Sequence, residues 1–426
     1  MPELRAERAS LPVLEGGGGI DGVSFAKGED ACILRAKQGQ EFKVKLVNLI
    51  DEEIWLHWFG VRGPADMMTL NIPPGEAEAI ECVFTPPDAG TFWFGPMIGS
   101  SKQREMGLYG ALIVEEAEPV AGLEDVPVVL DDWLLEGDGL AGGFGSLEAA
   151  IAEGRPGNWF TVNGRFRNRL VLPAGAAARL RVLNAANSRT MGLLFKGADP
   201  LIAALDGQPV PPHNLGQGAL KLAPGQRADL IVTETPDLIV LALDLFEDVV
   251  EIGYLEPAKQ SASLPENFAL PQNPLPEPGD LAMAAILNLR IEGGEKGGLK
   301  QARVAGEMLE LRALLERGIA WAVNGEAGPG AAPTATFKPG ETVIAVIENA
   351  TAFEQPLHIH GHVWREVDGS GNAPEGAHWS DTAIVARGET RNFVLVASEG
   401  VWVIQSLIAE RVDAGLMTAF AAASPL

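Results

Sequence analysis

The sequence predicts an all-β protein with three Greek-key β-sandwich domains, and two observations support this prediction. Apolar and charged residues alternate in short segments such as residues 42–46 and 179–182, which is the pattern of strands with one buried face. The 426 residues include 50 glycines and 30 prolines and are 46% hydrophobic. This composition favours a globular chain of many strands joined by tight turns.

A segment that starts with glycine and ends with asparagine nine positions later occurs three times, at residues 39–48, 175–184 and 340–349. Repetition of this segment predicts three copies of one sandwich domain. A second glycine turn follows each copy and opens another alternating segment; these glycines are Gly75, Gly225 and Gly388.

The predicted domains span residues 1–117, 118–255 and 281–426. Residues 256–280 contain six prolines and are predicted to form an extended linker. In the third domain, leucines recur roughly on one helical face, which predicts a helix over residues 306–317.

Charge and composition exclude several classes of protein. The net charge of −25 disfavours binding to nucleic acid or anionic lipid, so we expect no nucleic-acid partner. The sequence has no apolar run near the roughly eighteen residues of a membrane span, so we expect no membrane insertion. Residues 1–19 contain no apolar signal-peptide core, which leaves a signal peptide either absent or already removed. The two cysteines, Cys32 and Cys82, are too few for a cysteine-rich metal centre; they could form a disulfide or remain buried thiols.

Two of the six histidines occupy matching places in the repeat. His57 follows Asn48 by nine residues, and His358 follows Asn349 by the same nine. Residues i and i+2 of a strand face the same side of a sheet, so each segment can direct two side chains to one site. His360 is therefore predicted to share the site of His358.

These motifs resemble those of the multicopper oxidases, and the resemblance covers nearly the whole chain. It implies three cupredoxin-like domains, descent from copper oxidoreductases and a periplasmic location. The further segments that carry it are Gly107-Leu-Tyr-Gly-Ala-Leu-Ile-Val114, Asp131-Asp132-Trp133, Val162-Asn163-Gly164-Arg165, Leu205-Asp206-Gly207-Gln208-Pro209, Ala223-Pro-Gly-Gln-Arg-Ala-Asp229 and Trp379-Ser-Asp381-Thr382.

Most copper-ligand positions of the family hold other residues here. A type 1 copper site needs a thiolate and two imidazoles, whereas the matching positions hold Ser406, Gln355 and the permanent cation Arg411. Leu416 stands at the axial position. The histidines that the resemblance retains from the trinuclear copper site are His57, His358 and His360, and the replaced positions of that site are Phe59, Gly95, Met97, Gln405 and Leu407.

We therefore predict a multicopper-oxidase-like protein that has lost its type 1 copper and most of its trinuclear site. It is expected to be a non-redox binding or scaffold protein similar to the SufI-type cell-division proteins of the family, with no cofactor. Its partner is expected to be a protein that the sequence does not identify, and the chain to be a monomer or small homo-oligomer. Oxidase activity of the multicopper type is not expected.

The alternative is a metal-binding protein or oxidoreductase that holds one copper or zinc ion at His57, His358 and His360. The same three histidines could instead be hydrogen-bonded residues of an inter-domain core. Met97 faces this cluster in the family's pattern and could be a soft ligand or a gap-filling core residue. The remaining histidines are expected in loops or at the surface: His213, His362 and His378.

Overall fold

The computed structural model of the protein describes residues 1–25, 31–233, 237–245, 248–257 and 264–424. Strands dominate these residues and form three pairs of β-sheets that follow one another along the chain. The predicted all-β class, with three sandwiches, is confirmed.

The first sheet pair consists of a four-stranded and a five-stranded sheet, in the orders β2-β1-β4-β7 and β3-β9-β8-β5-β6. Its strands are β1 (Glu3–Leu11), β2 (Ile20–Ser24), β3 (Cys32–Lys37), β4 (Phe42–Asn48), β5 (Ile54–Phe59), β6 (Thr69–Ile72), β7 (Gly75–Phe84), β8 (Gly90–Pro96) and β9 (Gly110–Glu115).

The second pair has a seven-stranded sheet, β14-β13-β10-β16-β21-β18-β19, a five-stranded sheet, β15-β23-β22-β17-β20, and a small hairpin, β11-β12. Its strands are β10 (Leu123–Trp133), β11 (Leu135–Glu136), β12 (Gly139–Leu140), β13 (Trp159–Val162), β14 (Arg165–Phe166), β15 (Asn168–Val171), β16 (Ala177–Asn184), β17 (Met191–Lys196), β18 (Leu201–Leu205), β19 (Gln208–Asn214), β20 (Leu220–Leu222), β21 (Arg227–Val232), β22 (Ile239–Asp244) and β23 (Val249–Glu256).

The third pair has two five-stranded sheets, β27-β24-β29-β33-β31 and β28-β35-β34-β30-β32, with the hairpin β25-β26 beside them. Its strands are β24 (Ala285–Gly293), β25 (Gln301–Val304), β26 (Glu307–Glu310), β27 (Trp321–Val323), β28 (Thr336–Phe337), β29 (Thr342–Asn349), β30 (Gln355–Ile359), β31 (Arg365–Val367), β32 (Thr382–Val385), β33 (Thr390–Val396), β34 (Gly400–Ser406) and β35 (Met417–Ala422).

All three pairs repeat one strand arrangement. The repeated glycine-to-asparagine segments form β4, β16 and β29, each of which pairs antiparallel with the strand after the next glycine turn, β7, β21 or β33. On its other side each of them has a parallel neighbour, β1, β10 or β24. The boundaries proposed for the domains stay predictions, since strand pairing does not define where one domain ends.

The asparagine that ends each repeated segment makes the same set of side-chain hydrogen bonds in every sheet pair. The Asn48 amide donates to the carbonyls of Glu52 and Ile72, and its Oδ1 accepts the N–H of Ile50. The asparagines at the ends of β16 and β29 make equivalent hydrogen bonds. In each sheet pair the asparagine therefore connects the end of its strand to the following loop and to the opposite sheet. The equivalent residues are Asn184 and Asn349.

The short helices lie in connections: α1 (Ala65–Met68), α2 (Ser100–Glu105), α3 (Leu147–Ile151), α4 (Leu311–Glu316) and α5 (Ala409–Asp413), with 3-10 turns at Glu15–Gly17 and Leu281–Met283. The helix predicted over residues 306–317 was too long, because residues 307–310 instead form β26, paired with β25 in a hairpin. Pairing with a neighbouring strand overrides the helical spacing of the leucines, and Leu311 points to solvent.

The described part of the proline-rich segment lies along the sheet pairs. Residues 258–263 of the predicted linker are outside the described residues. Leu270 is buried against the second pair, and the Asn273 side chain bonds the backbone N–H and carbonyl of Ala89. The two cysteines lie in different sheets, β3 and β7, as free thiols. Burial raises the pKa of each of these thiols to about 12.

The first prediction concerns the repeated asparagine. Asn349→Ala leaves the carbonyls of Phe353 and Val385 and the N–H of Thr351 without their partner in a buried place, so we expect the free energy of unfolding to fall by about 3 kcal/mol. Denaturant unfolding measures the change. Asn214→Ala is the control, because the exposed side chain of Asn214 donates to the exposed Asp199; equal losses in the two variants would contradict the role given to Asn349.

Candidate functional site

Three buried histidines from the first and third sheet pairs meet in one place, called the histidine cluster below. His57 lies in β5, His358 in β30 and His360 directly after β30. One possible ligand atom from each ring lies within 4.8 Å of those of the other two. The Nε2 atoms of His57 and His358 are 3.4 Å apart, and the rings of His57 and His360 stack with their centroids 3.6 Å apart. The structure thus brings together the three residues that the sequence predicts as a metal site.

Two neighbouring side chains orient the rings of the cluster. His57 Nδ1 lies 2.8 Å from Oγ1 of Thr69, which stands opposite His57 in the β5–β6 pairing. His358 Nδ1 lies 3.3 Å from Oδ1 of Asp381. In both residues the contact at Nδ1 leaves Nε2 facing the cluster. Contacts of this kind at the far ring nitrogen hold metal-binding histidines in place.

Asp381 is wholly buried, and groups from two sheet pairs hold its carboxylate. Arg227 of β21 contacts both oxygens, with Nη1 3.1 Å from Oδ1, and the Thr382 hydroxyl donates to Oδ1 over 2.7 Å. Burial alone raises the pKa of Asp381, but Arg227 and His358 outweigh it and hold that pKa below its usual value. The carboxylate is therefore ionised and favours a proton on Nδ1 of His358.

The rings of His57 and His360 are neutral at physiological pH. Burial, and after it the neighbouring imidazoles, lowers the pKa of both His57 and His360 well below the usual value. Neutral imidazole is the form that binds metals. His360 Nε2 is buried without a hydrogen-bond partner in the part of the chain that the structure describes. Three converging imidazoles with such a nitrogen fit one copper or zinc ion, with a fourth position left for water.

Apolar groups surround the cluster where the resemblance places further copper ligands. The ring of Phe59 stacks on Trp93 with centroids 3.7 Å apart and lies 4.6 Å from the ring of His57. Gly95 stands opposite His57 in the β5–β8 pairing and offers no side chain. Met97 and Leu407 are buried in the apolar cluster that contains Phe59. The donors present here suit one ion.

Near the start of β30 lies a buried guanidinium, that of Arg411, at a position that the sequence resemblance assigns to a type 1 copper ligand. Arg411 Nη1 donates to the carbonyl of Glu354 and to Oε1 of Gln355, over 2.8 and 2.9 Å. Its guanidinium carbon lies 5.0 Å from the ring centroids of both Trp321 and Phe353. Burial lowers the pKa of Arg411 to about 10, which leaves the side chain charged at neutral pH.

Two further residues that the sequence resemblance assigns to type 1 copper positions have structural contacts. The Ser406 hydroxyl accepts the N–H of Ile408 over 3.1 Å, and Leu416 is fully buried. A type 1 copper requires a thiolate and two imidazoles. These two residues supply neither kind of donor, and the same holds for Gln355 and Arg411.

His362 lies in the loop after β30, as predicted, but it is buried there against Trp402 and Phe420. Its Nδ1 lies 2.8 Å from the carbonyl oxygen of His360, and its Nε2 accepts the N–H of Ser398 over 2.9 Å. Both ring nitrogens are therefore engaged. The other two histidines each contact a backbone carbonyl two residues earlier; His213 is exposed and His378 is half-buried.

No role in the site was predicted for Thr69, Arg227 or Asp381. Strand register could have found Thr69, since it is the cross-strand partner of His57. Arg227 and Asp381 lie in segments that carry the family resemblance. Their contact, however, joins residues 154 positions apart, and no local sequence pattern predicts it.

Comparisons with known proteins agree with this fold. Two family models, both described as multicopper oxidase, match residues 31–119 and 307–425. A solved multi-copper oxidase from Pseudomonas parafulva is 30% identical with a TM-score of 0.79, and the match covers 98% of this chain and 99% of that one.

Two curated proteins illustrate the range of relatives. The multicopper oxidase MmcO of Mycobacterium tuberculosis is 24% identical, over 91% of this chain and 81% of MmcO. The cell division protein FtsP of Xenorhabdus nematophila is 27% identical over 47% of this chain and 45% of FtsP. The chain thus matches less than half the length of FtsP.

The second prediction concerns the carboxylate that supports the cluster. Asp381→Asn removes one of the two buried carboxylates that pair with Arg227, the other being Asp206. Because charged hydrogen-bonding groups are then left poorly matched in the interior, we expect the free energy of unfolding to fall by about 2–3 kcal/mol. Chemical denaturation at neutral pH measures the loss. Glu389→Gln, which alters the partly exposed ion pair with Arg391, should change stability by less than about 1 kcal/mol. A loss no larger than that of the control would show that Asp381 does not hold the site together.

Proposed function

The chain belongs to the multicopper oxidase family, and we propose that it is a member that does not oxidise substrates and acts as a non-redox binding or scaffold protein. The proposal is based mainly on the burial of the Arg411 side chain. Its buried cation, hydrogen-bonded to Gln355, stands where the family's type 1 copper would need an imidazole.

Coulomb repulsion and the donor set both oppose copper at that place. A copper ion there would meet a fixed positive charge instead of an imidazole, and the Ser406 hydroxyl instead of a thiolate. Both cysteines lie elsewhere, in β3 and β7. Without a type 1 copper, electrons from a substrate have no entry to the cluster, so the oxidase reaction of the family has no route.

Retention of the framework supports a role in binding. The three repeated sheet pairs keep their strand order and their asparagine contacts, while the type 1 position has changed in chemistry. FtsP, named a cell division protein, is similar to this chain over part of its length. On this proposal the chain engages a protein partner and works in the periplasm, as a monomer or small homo-oligomer. None of the helices in the described ranges is long and apolar enough to cross a membrane.

The third prediction tests the absence of oxidase chemistry. After loading with copper, the purified protein should show no blue thiolate–copper absorption and no oxygen consumption with phenols or reduced metal ions, because the thiolate and the electron entry are missing. Visible spectroscopy and an oxygen electrode provide the measurements. The multi-copper oxidase from Pseudomonas parafulva, loaded in the same way, serves as the positive control. Catalytic oxygen uptake by this chain, or a blue band, would refute the proposal.

A second candidate function is the binding of one copper or zinc ion at the histidine cluster. It is favoured by the unpartnered His360 Nε2 and by the facing Nε2 atoms of His57 and His358. When bound, the ion could act as a Lewis acid or simply be sequestered. The chain's own contribution is burial, which keeps His57 and His360 neutral, and the contacts of Thr69 and Asp381, which orient the rings of His57 and His358.

The fourth prediction tests this metal site. Zn²⁺ should bind with a stoichiometry of one per chain, and His57→Ala combined with His358→Ala should weaken binding at least about 100-fold, because two of three ligands are removed. Titration calorimetry and elemental analysis after desalting give both quantities. The matched control, His213→Ala with His378→Ala, removes two histidines outside the cluster, one exposed and one half-buried, and should bind Zn²⁺ like the unaltered protein. Negligible metal after loading, or equal metal content in both double variants, would exclude the site.

A further inference from the structure

A cavity of about 390 Å³ lies between the first and third sheet pairs, next to the histidine cluster. Its wall is mainly apolar and combines two indole rings with three methionines. Cavities of this size that lie between structural units are typical small-molecule sites, which span about 300–1,000 Å³. The side chains that characterise the wall are Trp55, Met68, Met97, Trp402 and Met417, with His360 among them.

The polar groups of this wall are mostly engaged. The Thr69 hydroxyl contacts His57 Nδ1, and the Thr418 hydroxyl contacts that of Thr334 over 2.7 Å. The Trp402 indole donates to the carbonyl of Ser398 over 2.8 Å. His360 contributes an unengaged group, because its buried Nε2 has no partner among the residues that the structure describes.

A neutral imidazole always keeps one nitrogen as an acceptor. The amide of Gln405, whose Oε1 is also buried without a partner in the described ranges, interacts with the ring of His360. This amide oxygen can only accept, so it favours the N–H of the ring. One nitrogen of the neutral ring then remains an acceptor, and His360 lines the cavity.

We propose that this cavity binds a small uncharged aromatic molecule that carries one hydrogen-bond donor, with the donor directed to the ring of His360. The described wall residues include no charged side chain, and a charged ligand buried there would lose its hydration without compensation. Methionine side chains adapt to flat rings and make favourable sulfur–aromatic contacts. This inference goes beyond the proposed function and requires neither a bound metal nor a protein partner.

The fifth prediction tests this site in protein freed of metal by a chelator, so that its outcome is independent of the metal proposal. Indole is the probe, and 1-methylindole is its matched control, since it keeps the ring but lacks the N–H donor. Titration calorimetry should show one indole bound per chain and 1-methylindole at least about fivefold weaker, as expected for the loss of one buried hydrogen bond. His360→Phe should reduce the difference between the two probes to less than about twofold.

A pair of loop variants locates the binding site without altering the cluster. Ala331 is half-buried and lines the cavity, whereas the next residue, Ala332, is exposed and does not. Ala331→Trp should fill the cavity and weaken indole binding at least about tenfold, and Ala332→Trp should leave it unchanged. No heat of binding up to the solubility limit of indole, equal affinity for both probes, or unaltered binding by Ala331→Trp would each overturn the proposal.

Discussion

The buried carboxylate of Asp381 is the group on which the arrangement of the site depends. It belongs to the third sheet pair, neutralises Arg227 of the second, and contacts His358, whose Nε2 faces His57 of the first. Removing Arg227 would leave the Asp381 carboxylate without its cation in the interior, and removing Asp381 would leave Arg227 with Asp206 as its paired carboxylate. The same contact explains Gly60, whose φ is +82°: a side chain there would collide with the Asp381 carboxylate and the Arg227 guanidinium.

The two ends of strand β30 lie beside different groups: a buried guanidinium at its start and the imidazoles of the histidine cluster at its end. At its start, Gln355 accepts from Arg411, while at its end His358 and His360 keep their imidazoles. The nearest carboxylate to Arg411 among the ion pairs of the described residues, that of Glu153, is 4.0 Å away and largely exposed. Backbone carbonyls and two aromatic rings therefore solvate this cation instead of a buried counter-charge. The framework thus accommodates opposite electrostatic demands at the two ends of one strand.

The fold was largely predictable from sequence because its signals are local. Alternation marks strands, and the glycine-to-asparagine segments recur with the same spacing, so β4, β16 and β29 could be placed in advance. The predicted helix over 306–317 was wrong in its first half, because residues 307–310 pair with β25 in a hairpin. Sequence periodicity does not reveal such a pairing partner. In the site, the His57–His358–His360 group followed from matching positions in the repeat. The Arg227–Asp381 contact and the burial of His362 depend on how distant segments pack, and so they required the structure.

His360 connects the two sites inferred here, and this limits how they can operate together. Its ring stacks on His57 within the cluster and also lines the apolar cavity. One acceptor nitrogen cannot serve a metal ion and a ligand's N–H at once, since both need the same lone pair. A bound ion would therefore withdraw from the cavity the polar group that recognises a donor, and a bound donor would deprive the ion of its third imidazole. Each ligand would then lower the affinity of the other, and by thermodynamic linkage the two effects are equal.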